Sequence, residues 1–454
     1  MRFDVAIVGA GPAGLACSAT LAERGLTVAL IDEQPSPGGQ VWRNIEAADR
    51  FADPSTIWSD YEAGRAAVAR FRRSGCTYLP KTQVFQIEPG WRLFANSGAT
   101  ADLLEADRLV LAVGAQERPM PFAGWQLPGV MTVGAAQILL KTSGTVPETA
   151  PWLAGSGPLL LYYASQLLAM GVRPAGIIDL RPPQPVAVRQ LLGAVRANAG
   201  ALLKGARWLA ALRTSGVPII RARQIAVRGG ERLEFIEITR SNGEIRREAA
   251  SILLVHDGVV PRTHEGAMAG ARYRWDEALA CVVAAADGEP DAPVIVGDAA
   301  RIGGATSALA EGQLAGLDIA AALGKAQPSD SGLRAMLAKS LAAERALRGF
   351  LDHHYPPRPV GDDIADETVI CRCEEITAGT IRAHAADVAG IDELKAHTRI
   401  GMGRCQGRNC AAVAARLLAH HSGKPQENFA YRVRPPARAI RIDELARLPT
   451  EPKP

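Results

Sequence analysis

Four cysteines near the C-terminal end carry the plainest chemistry in the chain. They are Cys371 and Cys373 in "CRC" and Cys405 and Cys410 in "RCQGRNC". Thiolate sulfur is a soft ligand, and four at closed spacing select zinc or an iron–sulfur cluster. Zinc sites favour knuckles with two residues between the cysteines, which fit a tight turn around one ion. Here one residue separates the first pair and four separate the second, which suits a broader target holding two metals. The first pair can take one iron and the second pair the other, or each pair can straddle both. A cluster is the leading expectation, zinc its rival, free thiols the third. Arg372, Arg404 and Arg408 flank the sulfurs, and the start of a helix after Cys410 offers free N–H groups; both would stabilise cluster charge.

A second chemical signature lies at the N-terminus. A buried apolar run, FDVAIV, enters GAGPAG, with Gly9, Gly11 and Gly14 framing Pro12 and Ala13. In such a loop the first glycine makes the turn and the second admits a pyrophosphate. The third lets helix and strand pack closely. The phosphate then meets the helix N-terminus. TVALID supplies the next strand, and Asp32 at its end can accept hydrogen bonds from a ribose. Helix, strands and acid agree, so this unit is read as a dinucleotide site. GGQ (Gly39 and Gln40 among it), LAVGA with Gly114, and VGDA with Gly297 and Asp298 place bare backbone and a carboxylate where FAD, rather than NAD, would need them.

Residues 151–180 repeat the plan in degenerate form: Gly155, Gly157, then Leu160 in place of the third glycine, with Asp179 as the acid. Leu160 should push helix and strand apart or change the helix angle, and Pro158 removes a backbone donor. The unit is read as a retained fold in which NAD(P)H binding is lost or replaced by another adenine nucleotide.

The elements that position these groups alternate strand and helix, which defines an α/β chain. Two Rossmann-like dinucleotide-binding units precede a small helical C-terminal domain that carries the cysteines. A helix is expected over 61–72, strands over 82–87 and 91–95, Ile- and Val-rich strands between 217 and 239, and a helix over 331–351. Helices over 378–389, 391–396 and 411–420 surround the cysteines, the first capped by Thr377. His353 and His354 are read as a solvated helix end. The Pro/Arg tail is read as extended, either packed on another surface or solvated.

Composition narrows the class. A chain of 454 residues exceeds one core. Net charge of +4 argues against nucleic acid as a partner. No apolar run reaches the ~18 residues of a membrane span. Seven cysteines, odd in number and unevenly spread, do not form a disulfide framework, so a reducing cytoplasm is expected. Cys17, Cys76 and Cys281 are read as small buried hydrophobes. No Cys pair accompanies either nucleotide unit, which argues against disulfide reduction. No catalytic residue is assigned.

The motifs over residues 1–325 resemble the two-dinucleotide-binding flavoproteins, the group containing thioredoxin and ferredoxin reductases. That resemblance implies FAD held by 1–118 and 252–325, with 119–251 as an inserted second nucleotide-binding-like domain. It also implies Glu33, Gln34 and Val84 as FAD neighbours beside Asp32. Residues 368–422 resemble a bacterioferritin-associated ferredoxin-like [2Fe–2S] domain, set within 367–424 after a helical linker (326–366) and before the tail (425–454). The joined layout resembles the alpha-type subunits of heteromeric amino-acid and opine dehydrogenases. That group holds the corresponding subunits of opine oxidase, D-hydroxyproline dehydrogenase, dye-linked proline dehydrogenase and hydrogen cyanide synthase. It implies a D-amino-acid-oxidase-like beta subunit that oxidises the C–N bond, a small ferredoxin-like gamma subunit, and a quinone or other acceptor. A second adenine nucleotide, or FMN at a subunit contact, is left open as a third cofactor. The location expected is cytoplasmic, or peripheral to the inner membrane. A stand-alone NAD(P)H-dependent flavin/iron–sulfur reductase is the alternative.

Overall fold

The structure, a computed structural model, describes residues 1–50, 61–98, 101–185, 187–285, 292–429 and 431–448. The chain begins with β1 (Arg2–Val8), α1 (Pro12–Ala22) and β2 (Val28–Ile31). Then come α2 (Glu62–Arg73), β3 (Thr77–Leu79), β4 (Gln83–Glu88), β5 (Arg92–Asn96) and β6 (Ala101–Leu111). The first sheet runs β3-β2-β1-β6-β5-β4. Strands β3, β2, β1 and β6 are parallel, as βαβ crossovers demand, and the β4–β5–β6 meander is antiparallel. Val5, Ala6 and Ile7 are fully buried, the mark of a strand covered on both faces.

The short strand β7 (Ala115–Glu117) leads into a second sheet. Its elements are β8 (Val130–Thr132), α3 (Val133–Ser143), β9 (Trp152–Ser156), α4 (Pro158–Ala169), β10 (Gly176–Asp179), α5 (Val188–Thr214), β11 (Ile219–Arg221) and, after an antiparallel excursion, β15 (Leu253–Asp257). Their order, β11-β10-β9-β15-β8, is parallel throughout and duplicates the first βαβ plan. The excursion is a three-stranded sheet of β12 (Gln224–Arg228), β13 (Phe235–Thr239) and β14 (Ile245–Ala249). The 27-residue α5, broken by a non-helical Asn198, lies where no helix was expected.

The chain then returns. β16 (Val259–Pro261) pairs with β7, α6 (His264–Met268) follows, and β17 (Tyr273–Asp276) pairs with β18 (Cys281–Ala284). β19 (Val294–Ile295) rejoins the first sheet beside β6. α7 (Ala305–Ala322) packs along α1 at very close range. A Cβ on Gly312 would lie 2.0 Å from the Ala13 carbonyl oxygen, so glycine alone permits the approach. α8 (Asp330–His354) crosses back over α5, tied to α1 by the buried Arg24–Asp330 ion pair.

The last unit has its own core, built from Ile370, Ile381, Leu394, Leu417 and Leu418. It comprises the hairpin β20 (Val369–Cys371) with β21 (Ile376–Thr377), then α9 (Ala378–His384), α10 (Ile391–Thr398) and α11 (Ala411–Ser422), with α12 (Ile442–Leu445) in the tail. Thr377 caps α9 as expected, its side chain accepting from the Thr380 N–H. Residues 430 and 449–454 of the expected tail lie outside the described residues. Among the described residues no helix is long and apolar enough to cross a membrane.

Candidate cofactor and cluster sites

The first glycine loop owes its shape to backbone contact. Gly9 has φ +106°, and a Cβ there would lie 2.4 Å from the Ala112 oxygen. A Cβ on Gly14 would lie 1.8 Å from the Gly9 oxygen. Gly11 faces Gly39 across bare backbone, a Cβ on Gly39 falling 2.8 Å from the Gly11 Cα. Pro12 and Ala13 open α1, whose N-terminus has no side-chain cap and leaves its N–H groups for an anion. Asp32 is buried and accepts from the Ala10 N–H (2.5 Å) on one oxygen and the Gln34 N–H (2.7 Å) on the other. Burial raises its pKa while those two N–H groups oppose the rise. Each oxygen keeps a lone pair for a ribose hydroxyl.

The other expected contacts divide. Val84 is buried in β4, Gly114 (φ +71°) opens onto free space after β6, and Gly297 packs beside Ala13. Asp298 accepts from the Gly303 and Gly304 N–H groups at 2.8 and 2.9 Å, setting the loop before α7. The Gln40 carbonyl accepts from Lys141, a buried lysine of α3 that also reaches Val41 and Gln137. Gln34 supports Asp32 through its backbone, whereas Glu33 turns outward to Arg262 and Arg438. Bare glycines, an uncapped helix start and a carboxylate with spare lone pairs fit a dinucleotide such as FAD. When bound, FAD supplies two-electron chemistry.

The second loop forms the same turn with different consequences. Gly155 (φ +131°) lies against β15, where a Cβ would come 1.7 Å from the His256 oxygen. Leu160 does not split the unit: β9, α4 and β10 assemble in order, and Leu160 is buried in the same core as Leu153 and Leu254. The acid of this unit has a protein partner. Arg181 grips both oxygens of Asp179 at 2.7–3.1 Å. Arg181 in turn contacts His354 (2.6 Å) and lies over the Tyr355 ring (5.0 Å), while His353 reaches the Pro185 carbonyl. His354 is exposed, as a solvated helix end is, and His353 is half-buried, while the end of α8 folds back over the groove beside Gly157. A cavity of about 300 Å³ remains, lined by Ser156, Gly157, Asp257, Asp298, Leu351 and Tyr355. That is the low end of ligand-pocket sizes, ~300–1,000 Å³.

The cysteines meet across, not along, their sequence pairs. The Cys410 thiol donates to Cys371, and Cys373 faces Cys405. Cys371 and Cys410 are buried, Cys373 exposed and Cys405 intermediate. The Cys410 hydrogen bond, with N–H groups of Gly401, Glu374 and Cys373, brings the Cys371 thiol down to about 5, and the same bond pushes Cys410 up. Four thiols brought together on one small unit are the soft donor set that an iron–sulfur cluster takes. Glycine makes the loop possible: a Cβ on Gly403 would strike the Cys373 Cβ at 2.2 Å, and one on Gly407 the Tyr431 ring at 2.7 Å. The arginines do less for the sulfurs than their positions implied. Arg372 lies over the Trp125 ring (5.3 Å), Arg408 binds the Cys405 and Ala437 carbonyls, and Arg404 is exposed.

Residues that carried no motif join the two sites. Gln116, two residues past Gly114, donates to the Arg408 carbonyl (2.7 Å), and His264 bonds the Gln406 carbonyl (2.9 Å). The tail is anchored at points along an otherwise exposed course: Ala437 donates to the Phe85 carbonyl and Arg438 pairs with Glu265 and Glu33, while Arg432, Arg434 and Arg441 are exposed. Spacing offered no signal for these; only the unusual run of arginines in the tail pointed to a packed surface.

This architecture, two Rossmann-like units followed by a small cysteine-bearing helical unit, is that of a flavin-type oxidoreductase carrying an iron–sulfur domain. Residues 3–312 match the pyridine nucleotide-disulphide oxidoreductase model and residues 369–420 the BFD-like [2Fe-2S] binding domain. The opine oxidase A-type subunit of Rhizobium meliloti is 39% identical over 98% of this chain and 99% of its own. Hydrogen cyanide synthase subunit HcnB of Pseudomonas aeruginosa is 31% identical over 93% of this chain and 94% of its own. The crystal structure of L-proline dehydrogenase from P. horikoshii shares the fold, with TM-score 0.70 and 21% identity over 98% of this chain and 80% of that one. The chain belongs to the pyridine nucleotide-disulphide oxidoreductase family, within the group that contains HcnB and the A-type subunits of opine oxidases. The two family matches imply FAD and a [2Fe-2S] cluster as its cofactors.

Proposed function

We propose that this chain is the electron-transfer subunit of a heteromeric dehydrogenase or oxidase acting on the C–N bond of an opine, proline, hydroxyproline or related amino acid. FAD lies against Gly9–Gly14, Asp32, Gly39–Gln40, Gly114 and Gly297–Asp298, and the cluster on Cys371, Cys373, Cys405 and Cys410. A D-amino-acid-oxidase-like subunit carries the substrate chemistry, a small ferredoxin-like subunit joins it, and a quinone or similar acceptor takes the electrons. The relatives named as subunits of opine oxidase and hydrogen cyanide synthase support the heteromeric reading. A further cofactor, FMN or an adenine nucleotide, belongs at a subunit contact or beside Gly155 and Gly157. The complex is cytoplasmic, or peripheral to the inner membrane.

One observation carries the choice over a stand-alone NAD(P)H reductase. The acid that would hold the second ribose, Asp179, is gripped by Arg181 and covered by the end of α8. A nicotinamide dinucleotide would have to break that ion pair and lift the helix. Mixing the purified, flavin-loaded chain anaerobically with NADH or NADPH should leave the flavin spectrum unbleached. Adding the oxidase-like partner together with its amino-acid substrate should bleach it. Rapid bleaching by NADH or NADPH alone would sink the proposal.

A further inference from the structure

Helix α3 buries Val133, Ala136, Gln137, Leu140 and Lys141. That is the i, i+3, i+4, i+7, i+8 stripe of a helix packed on a core, where apolar side chains are expected. Two of the five are polar, and one is a lysine only 4% exposed. An ammonium so placed is costly unless each of its three donors is met. The N–H groups of Lys141 find the Gln40 carbonyl at 3.2 Å, the Val41 carbonyl at 3.0 Å and Gln137 Oε1 at 3.1 Å. Gln137 in turn donates to Gln166 of α4 at 2.9 Å. A buried polar chain thus runs from the helix after the second glycine loop, through α3, to residues 40 and 41 of the first unit.

The segment at the end of that chain cannot shape itself. Gly38 (φ +120°) and Gly39 (φ +61°) give the backbone little preference of its own. Its start is tied by the Gly38 N–H to the Ala10 carbonyl at 2.8 Å, and Trp42 closes a turn onto the Gly38 carbonyl at 3.2 Å. Between these ties Gly39 lies against Gly11, with room for no side chain. Gln40 and Val41 are exposed, so packing does not hold them in place. Their carbonyls are held by Lys141, and the Asn44 side chain adds a bond to the Lys141 carbonyl at 3.4 Å. The ammonium also sets a positive charge one residue beyond Gly39, on the segment that borders the phosphate-binding turn.

We propose that Lys141 is a positioning residue of the first nucleotide site: it fixes residues 39–41 over the Gly11 turn and so sets how tightly that site holds its dinucleotide. This rests on the reading of the first glycine loop as the FAD site and adds a residue that no nucleotide motif contains. The test compares the full-length chain with three variants by equilibrium dialysis against FAD, visible circular dichroism of the bound flavin and a far-ultraviolet melt. Lys141→Met keeps the length and apolar bulk but removes the charge and all three donors. It should bind FAD at least ~10-fold more weakly, the effect of losing hydrogen bonds from a charged group. Its flavin dichroism should change, while its iron content stays that of wild type. Lys141→Arg keeps charge and donors and should bind FAD more tightly than Lys141→Met. Gln137→Met keeps the lysine, frees one donor and should fall between wild type and Lys141→Met. Wild-type FAD affinity and dichroism in both Lys141→Met and Gln137→Met would overturn the proposal. So would a lowered melting temperature with affinity and dichroism intact, because Lys141 would then only brace the two units. Equal affinity in Lys141→Arg and Lys141→Met would also overturn it. Should Lys141→Met not fold, wild-type affinity and dichroism in Gln137→Met alone would overturn it. In each of these outcomes the FAD reading stands; a wild-type chain that takes no FAD would overturn that reading and the proposal together.

Discussion

Cys371 and Cys410 are enclosed by protein while Cys373 lies at the surface, so the four sulfurs are not equivalent ligands. The buried pair is fixed by backbone N–H groups and by the helix that starts after Cys410; the outer pair depends on the glycine-rich loop 401–407. Replacing Cys405 by Ser removes a soft ligand from the outer pair, where no other thiol stands in reserve. The expected result is loss of the cluster's visible absorbance and EPR signal, with iron below about a tenth of the wild-type content, while flavin stays bound. The flavin loop is held by its own contacts, Gly9 to Ala112 and Ala10 to Asp32, none of which involves the cysteines. Stoichiometric zinc in anaerobically purified wild-type protein would contradict the two-iron assignment. At this scale the ligands were readable because cysteine has few other uses in such a spacing. The partner of Asp179 was not readable, for an equally local reason. An acid at a strand end looks the same in sequence whether it awaits a ribose or an arginine, and Arg181 belongs to no nucleotide motif. His354 and Tyr355, which complete that grip, lie far along the chain.

Elements with a covered strand or a one-sided helix were legible; those whose outer face is apolar were not. β1, β2 and the Leu109–Leu111 end of β6 read as continuous apolar runs because both sheet faces are buried there. α5 was missed because Gly193, Gly200 and Gly205 weaken it and its exposed Val and Leu blur the period that marks an amphipathic helix. Its stability comes from packing on α8 and on the Tyr162–Trp208 pair, which are tertiary facts. The α1–α7 contact shows the opposite case, in which small residues in both helices permit close packing. Gly312 lies against Ala13 and Gly316 against Thr20. Gly312→Ala would drive a methyl into the Ala13 carbonyl and force the helices apart. The expected cost is about 1–3 kcal/mol. Because α1 also presents the phosphate-binding end of the first loop, flavin should be released at a lower temperature than from wild type in a fluorescence-monitored melt. An unchanged release temperature would mean that α1 and α7 can separate without disturbing the loop.

On the scale of the whole chain, sequence separates the nucleotide units from the cysteine domain, but the structure interlocks them. The duplication and the return of the chain to the first sheet are visible as repeated motifs. Invisible in sequence are the cross-links: Gln116 to Arg408, His264 to Gln406, and the tail that runs over both units. Tyr431 covers Gly401 and Gly407, Ala437 bonds Phe85 beside Val84, Arg438 bridges to Glu33 and Glu265, and Glu444 reaches Asn96. Each link is weak alone, typically ~1 kcal/mol for a hydrogen bond, but the tail crosses from the cluster loop to the strand beside the first nucleotide site. Ending the chain after residue 430 removes all four links and leaves the cysteine domain held by its linker and by contacts such as those of Gln116, His264 and Trp125. That domain should then open locally far more often. Limited proteolysis should cut within residues 356–367 at least about tenfold faster than in wild type, and the cluster should bleach in air before the flavin is lost. Simultaneous loss of flavin and cluster would mean that the tail braces the first nucleotide site as strongly as the cluster loop. An unchanged cleavage rate would place the burden of docking on Gln116, His264 and Trp125.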